Sequence, residues 1–119
     1  MSFVLIEKWI EALRSGKYKQ CKYYLCLEIG ENDCYHCATG VLFEEAGLKK
    51  NVSTVFKNGV AYDYKTTKSV DRQELADAAI SIGTDLYQIA GKNDSGMTFN
   101  QIADFIQSKL DAARASERP

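Results

Sequence analysis

The sequence predicts an α+β fold: about four helices around a small, mostly antiparallel sheet, in a single domain over 1–119. Three observations predict it. Residues Gln20 to Ile29 alternate as a half-buried strand does. Asn58-Gly59 falls between two strand-like runs, where a type I′ turn would close a hairpin. Phe99, Ile102, Ala103, Ile106 and Leu110 recur at helical spacing and form one apolar stripe.

Taken in order, Ser2 can cap a first helix that runs to about Ser15, with Leu5, Ile6, Trp9, Ile10 and Leu13 inward and Gly16 as its stop. In the strand that follows, Cys21, Tyr23, Leu25, Leu27 and Ile29 share one face. Gln20, Lys22, Tyr24, Cys26 and Glu28 share the other, and Gly30-Glu31-Asn32-Asp33 reads as the closing turn. Cys34 to Cys37 suits a short return strand. Ala38 to Ala46 suits a short helix ended by Gly47, with Val41 and Leu42 inward.

Val52–Lys57 and Val60–Lys65 flank Asn58-Gly59, so a hairpin is the sharpest local reading. Asp71 and Glu74 make one capping box and Thr98 with Gln101 a second, each satisfying backbone N–H groups at a helix start. Leu75, Ala79, Ile82, Leu86 and Ala90 hold a stripe that favours one long helix across Gly83, although that glycine costs about 1 kcal/mol relative to alanine and a break there is the alternative. From about Ala112 to Pro119 the chain is polar and is expected to fray.

At 119 residues the chain is long enough to bury a core without disulfides or a metal. A net charge of −1 and a pI near 5.8 argue against long nucleic acid or an anionic membrane as partner. Phe3-Val4-Leu5-Ile6 is cut short by Glu7 and Lys8, and no run is long enough to span a membrane. The four cysteines are therefore expected reduced, in a cytoplasm.

Cys34 and Cys37 have the spacing of a zinc knuckle, with His36 between them. On a strand, however, Cys21 and Cys26 point to opposite faces, so at best one could join them. Ordinary core cysteines are expected, with neither metal nor other cofactor. His36 is the only histidine, and no Gly-rich phosphate loop or two-histidine metal motif appears. No catalytic residue is assigned, and a binding protein is expected ahead of an enzyme.

The binding candidates cluster in Arg14 to Tyr24, where the chain turns basic and tyrosine-rich. Arg14, Lys17 and Lys19 would face phosphate, and Tyr18 and Tyr24 would stack on a base. With only one strand face exposed, Tyr24 is the better stacking residue than Tyr23. Asn93, Asp94 and Thr98, set in a turn at the head of the last apolar stripe, would hydrogen-bond base or ribose. The alternatives are a turn that bonds its own backbone and lysines that merely guard a strand edge.

Three segments together resemble a family of short, mostly uncharacterised proteins from bacteriophages and prophages. They are Trp9-x-x-Ala12-Leu13-Arg14-Ser15-Gly16-x-Tyr18-x-Gln20, Cys37-Ala38-x-Gly40-Val41-Leu42 with Gly47, and Asn93-Asp94-x-Gly96-x-x-Phe99-x-x-Ile102-Ala103-x-x-Ile106. The hairpin lies outside the match. Thr39 and Phe43 depart from it, standing where the family pattern usually has an aliphatic residue and often a cysteine. The resemblance implies an accessory protein acting in the host cytoplasm, plausible in counter-defence. The leading expectation is sequestration of a small anionic nucleotide, such as a cyclic nucleotide immune signal. The alternatives are an interaction protein that blocks a host protein, through the same surface or the Tyr62–Tyr64 hairpin, and a hydrolase of a nucleotide signal. A homodimer or higher homo-oligomer is expected because the small sheet leaves edges to cover.

Overall fold

The computed structural model describes residues 3–30 and 33–117. Its elements are α1 (Val4–Arg14), β1 (Lys19–Gln20), β2 (Cys26–Ile29), β3 (Asp33–His36), α2 (Ala38–Ala46), β4 (Lys49–Phe56), β5 (Gly59–Lys65), α3 (Arg72–Ser81), α4 (Leu86–Asp94) and α5 (Phe99–Ser116). Ser2, Glu31, Asn32 and Pro119 lie outside the described residues, and with them the expected first cap and part of the expected turn. The sheet runs β1-β3-β2-β5-β4; every pair is antiparallel except β1 with β3. The α+β class therefore holds.

Helix α1 is built on its apolar stripe. Ile6, Trp9, Ile10, Ala12 and Leu13 are buried, and the Trp9 indole donates to the Ala38 carbonyl at 2.9 Å, tying α1 to the start of α2. Gly16 follows the helix with a φ of 77°, a conformation that suits glycine. Helix α2 is capped by the Cys37 thiol, which accepts from the Gly40 N–H, and ends at Gly47 in the left-handed conformation. Gly40 is required for contact: a Cβ there would sit 1.8 Å from the Leu25 carbonyl oxygen. Helix α5 carries the Thr98–Gln101 capping box, and its five stripe residues are all buried. These helices and Cys26, Leu48 and Tyr64 close one apolar core.

Four expectations are corrected. The strand expected over Gln20 to Ile29 breaks into β1 and β2. Between them the Cys21 N–H donates to the His36 carbonyl, the Tyr23 N–H donates to the Asp94 carboxylate, and Tyr23 has a φ of 73°. Backbone groups that would have made a ladder are thus diverted to β3 and α4. The face alternation fails with the strand: Cys26 is buried, and Tyr23 and Tyr24 are both exposed.

The single long helix is two, giving five helices among the described residues. Gly83 has a φ of 83°, which stops α3, and the Asp85 carboxylate starts α4 by accepting the Gln88 N–H at 2.8 Å. Asp71 does cap α3, accepting from the Gln73 N–H at 2.9 Å, without the reciprocal Glu74 bond of the expected capping box among the described residues.

The hairpin forms, but Phe56 pairs with Gly59, so its connection is Lys57-Asn58. Neither Asn58 nor Gly59 has the positive φ that a type I′ turn with these central residues requires. Gly59 serves close packing instead, since a Cβ there would lie 2.5 Å from the Glu28 carbonyl oxygen. The segment from 112 continues α5 to Ser116, held by an Arg114–Glu7 ion pair at 2.9 Å.

Candidate functional site

The residues expected to hold a nucleotide are already engaged with one another's neighbours. Arg14 pairs with Asp104 at 2.9 Å, Lys17 with Glu45 at 3.4 Å, and Lys19 with Asp33 at 3.1 Å. The Tyr18 hydroxyl donates to Glu45, and its ring stands edge-on to His36 with centroids 4.9 Å apart. Burial and the Glu45 carboxylate push the Tyr18 phenol above its ordinary range, and the same hydrogen bond, helped by Lys17, holds Glu45 below the usual carboxylate range. Tyr24 faces elsewhere, edge-on to Phe56 at 5.6 Å.

Asn93 is fully buried. Its oxygen accepts from the Gln20 amide at 2.9 Å and the Ala38 N–H at 3.0 Å, and its amide donates to the Cys21 carbonyl at 2.7 Å. Asp94 accepts the Tyr23 N–H at 2.9 Å, and Thr98 caps α5. The expected turn at Asn93-Asp94 is the last turn of α4, and its polar groups bracket the 20–23 segment and the start of α2. Arg14 opens on a cleft between α1 and α5, while Lys17 and Glu45 line a different one and Tyr24 a third. The fold does not bring these eight residues into one cleft.

All four cysteines are free thiols. Burial pushes Cys21 up to about 12 and raises Cys26 and Cys37. Among the described residues no three His, Cys, Asp or Glu side chains are placed to hold a metal. His36 is buried with both ring nitrogens unpartnered; Glu44 stands 3.6 Å from Nε2. Burial holds its pKa below the usual histidine value against the opposing pull of Glu44. No helix among the described residues is long and apolar enough to cross a membrane.

The open end of the sheet gathers the apolar groups that the core leaves out. Among the described residues strand β4 has β5 as its only sheet neighbour, and Val52, Val55 and Phe56 on it are exposed, Val55 at 73%. An extra residue at Ser53 lets Val52 and Val55, an odd number apart, pair with Tyr62 and Val60 and so share one face. On the opposite face Phe56, Tyr24, Leu27 and Ile29 line a hollow of about 370 Å³ with Lys57 at its rim. Lys49, Lys50 and Lys57 bracket this surface, and β4 carries no acid. Exposed apolar residues gathered this way mark an interaction surface more often than chance. The signal in the sequence was the odd Val52–Val55 spacing beside Phe56, which regular alternation cannot bury.

The fold and surface define a small α+β protein with an apolar, basic hairpin at the open edge of its sheet. Compared with known proteins, the chain matches no family model, no curated protein and no solved structure.

Proposed function

We propose that the chain is a non-enzymatic binding protein that occupies a protein partner through the β4–β5 hairpin. The observation that carries this reading is the exposure of apolar side chains on both faces of the open hairpin, Val52 and Val55 on one and Phe56, Ile29 and Tyr24 on the other, with lysines beside them. Aromatic and aliphatic anchors inside a polar rim are the usual anatomy of a protein interface. Together with the phage resemblance, this favours an accessory protein that blocks a host protein in the host cytoplasm. Nucleotide sequestration draws less support, because Arg14, Lys17 and Lys19 each face a carboxylate that a phosphate would have to displace.

A photo-crosslinking residue at Val55, with Asp111 on α5 as the control position, tests the reading in host cells. One protein captured through Val55 and not Asp111 is expected, and Phe56→Ala should weaken the purified pair about tenfold, or ~1.4 kcal/mol. A thermal shift with a mono-, di- or cyclic nucleotide that is lost in Lys17→Ala, with no Val55 crosslink, would overturn it in favour of the nucleotide reading.

A further inference from the structure

A second groove complements the hairpin. It has a volume of about 680 Å³ and lies between α3 and α4, with Leu25, Phe43 and Thr39 among its lining residues. It exists because the residues facing it, Ala76 on α3 and Ala90 on α4, are small. Ile80 and Tyr87 stand exposed along it, Tyr87 at 91%. Both lie off the buried stripes of their helices.

The charges of the groove are unbalanced. Asp71 and Asp85 line it, and neither has an ion-pair partner among the described residues. Arg72, the cation beside them, is already committed. It pairs with Asp63 at 2.9 Å, donates to the Tyr64 carbonyl at 3.1 Å and lies 4.9 Å over the Phe43 ring. An apolar group carrying one positive charge therefore fits, and the tip of the hairpin presents that combination in Phe56-Lys57. Phe56 and Lys57 are exposed, and Lys57 has no carboxylate partner among the described residues.

The tip cannot reach the groove of its own chain. Arg72 anchors α3 to Asp63 and Tyr64, near the far end of β5, while the tip precedes Gly59 at the near end. Five strand residues put about 17 Å between them, and β5 is fixed in the sheet between β2 and β4.

We infer that the occupant is a second copy of this chain: the Phe56-Lys57 tip of one protomer seats in the α3–α4 groove of another, with Phe56 against the apolar wall and Lys57 facing Asp71 or Asp85. This rests on the reading of the hairpin as a binding surface and gives its tip a second partner beside the host protein. Tip and groove are different patches, so the contact closes as a dimer when exchanged reciprocally and propagates when it is not.

Size-exclusion chromatography with light scattering tests it on the full chain. The wild type should run at the mass of a dimer or larger species. Phe56→Ala/Lys57→Glu, which disables the tip, and Ala90→Leu, which fills the groove, should each run as monomers with unchanged circular dichroism. An equimolar mixture of the two variants should recover a dimer, because one supplies an intact groove and the other an intact tip. Recovery also shows that both variants are folded. A monomeric wild type at every concentration, an oligomer that survives both variants, or a mixture that stays monomeric would each overturn the inference. The proposed function fails separately: a monomer whose Val55 still captures one host protein overturns self-docking alone, and a tip-dependent dimer that captures no other protein overturns host blocking alone.

Discussion

Gln20 and Asn93 hold each other across the fold: the Gln20 amide donates to Asn93 Oδ1 at 2.9 Å and to the Met97 carbonyl at 2.7 Å. Its oxygen accepts the Phe99 N–H at 3.1 Å. Two side chains far apart in sequence thereby join β1, α2, the end of α4 and the start of α5. The two residues come from opposite ends of the chain, so the pairing ties the N-terminal basic stretch to the turn before α5.

Asn93→Ala should destabilise the chain by about 3 kcal/mol, since it leaves the buried Ala38 N–H and the Cys21 carbonyl without their partner and strips the Gln20 amide of one of its two acceptors. Urea denaturation measures it. A loss below about 1 kcal/mol would mean that water or a neighbour replaces the bracket.

Stability should fall as the pH drops below about 6.5, the value at which His36 of the unfolded chain takes up a proton. Burial holds the folded pKa below that, so in this window the unfolded state binds more protons and stability rises with pH. The full contribution is present above 6.5, and the slope below it reaches at most about 1.4 kcal/mol per pH unit. Urea midpoints at neutral and mildly acidic pH check this, and His36→Phe should flatten the difference. The Glu45 carboxylate, whose pKa is depressed, acts in a separate window: its contribution is lost only as the pH falls through the carboxylate range.

Gly40→Ala should cost more than about 3 kcal/mol, because the added Cβ meets the Leu25 carbonyl and not a flexible side chain. Gly83→Ala meets nothing within 4 Å and should cost only the left-handed backbone, about 1–2 kcal/mol. Paired melting curves separate the two; equal losses would refute the packing account of Gly40.

Thiol labelling at neutral pH should modify Cys34 first. Cys34 is partly exposed, whereas burial raises the pKa of Cys21, Cys26 and Cys37 and leaves them little thiolate. Cys34→Ser should remove the fast phase, and a fast phase that persists would point to a local opening around Cys21.

Helices α1, α2 and α5 were legible because their stripes and stops are local: the turn of each helix lies within a few residues of its cause. The two misplaced breaks have different origins. At Gly83 the stripe on either side outweighs, as a sequence signal, a glycine whose left-handed conformation ends α3 just before Asp85 caps α4. Between β1 and β2 the local pattern was good strand pattern, and distant groups overrode it: Asn93, Asp94 and His36 take the backbone bonds of Cys21 and Tyr23. The same distance hid the carboxylates that answer the basic stretch. Glu45 and Asp104 lie 28 and 90 residues from the cations they pair with, so Lys17 and Arg14 read as free.

The extra residue at Ser53 also bears on how the protein behaves when concentrated. A strand of valines and a phenylalanine with one open edge is a template for fibril growth, and a bulge interrupts the even spacing of amides that a growing stack needs. Deleting Ser53 would keep the flanking pairs Val52 with Tyr62 and Thr54 with Ala61 while flattening the edge. Such a chain would fold as before and be far harder to keep in solution.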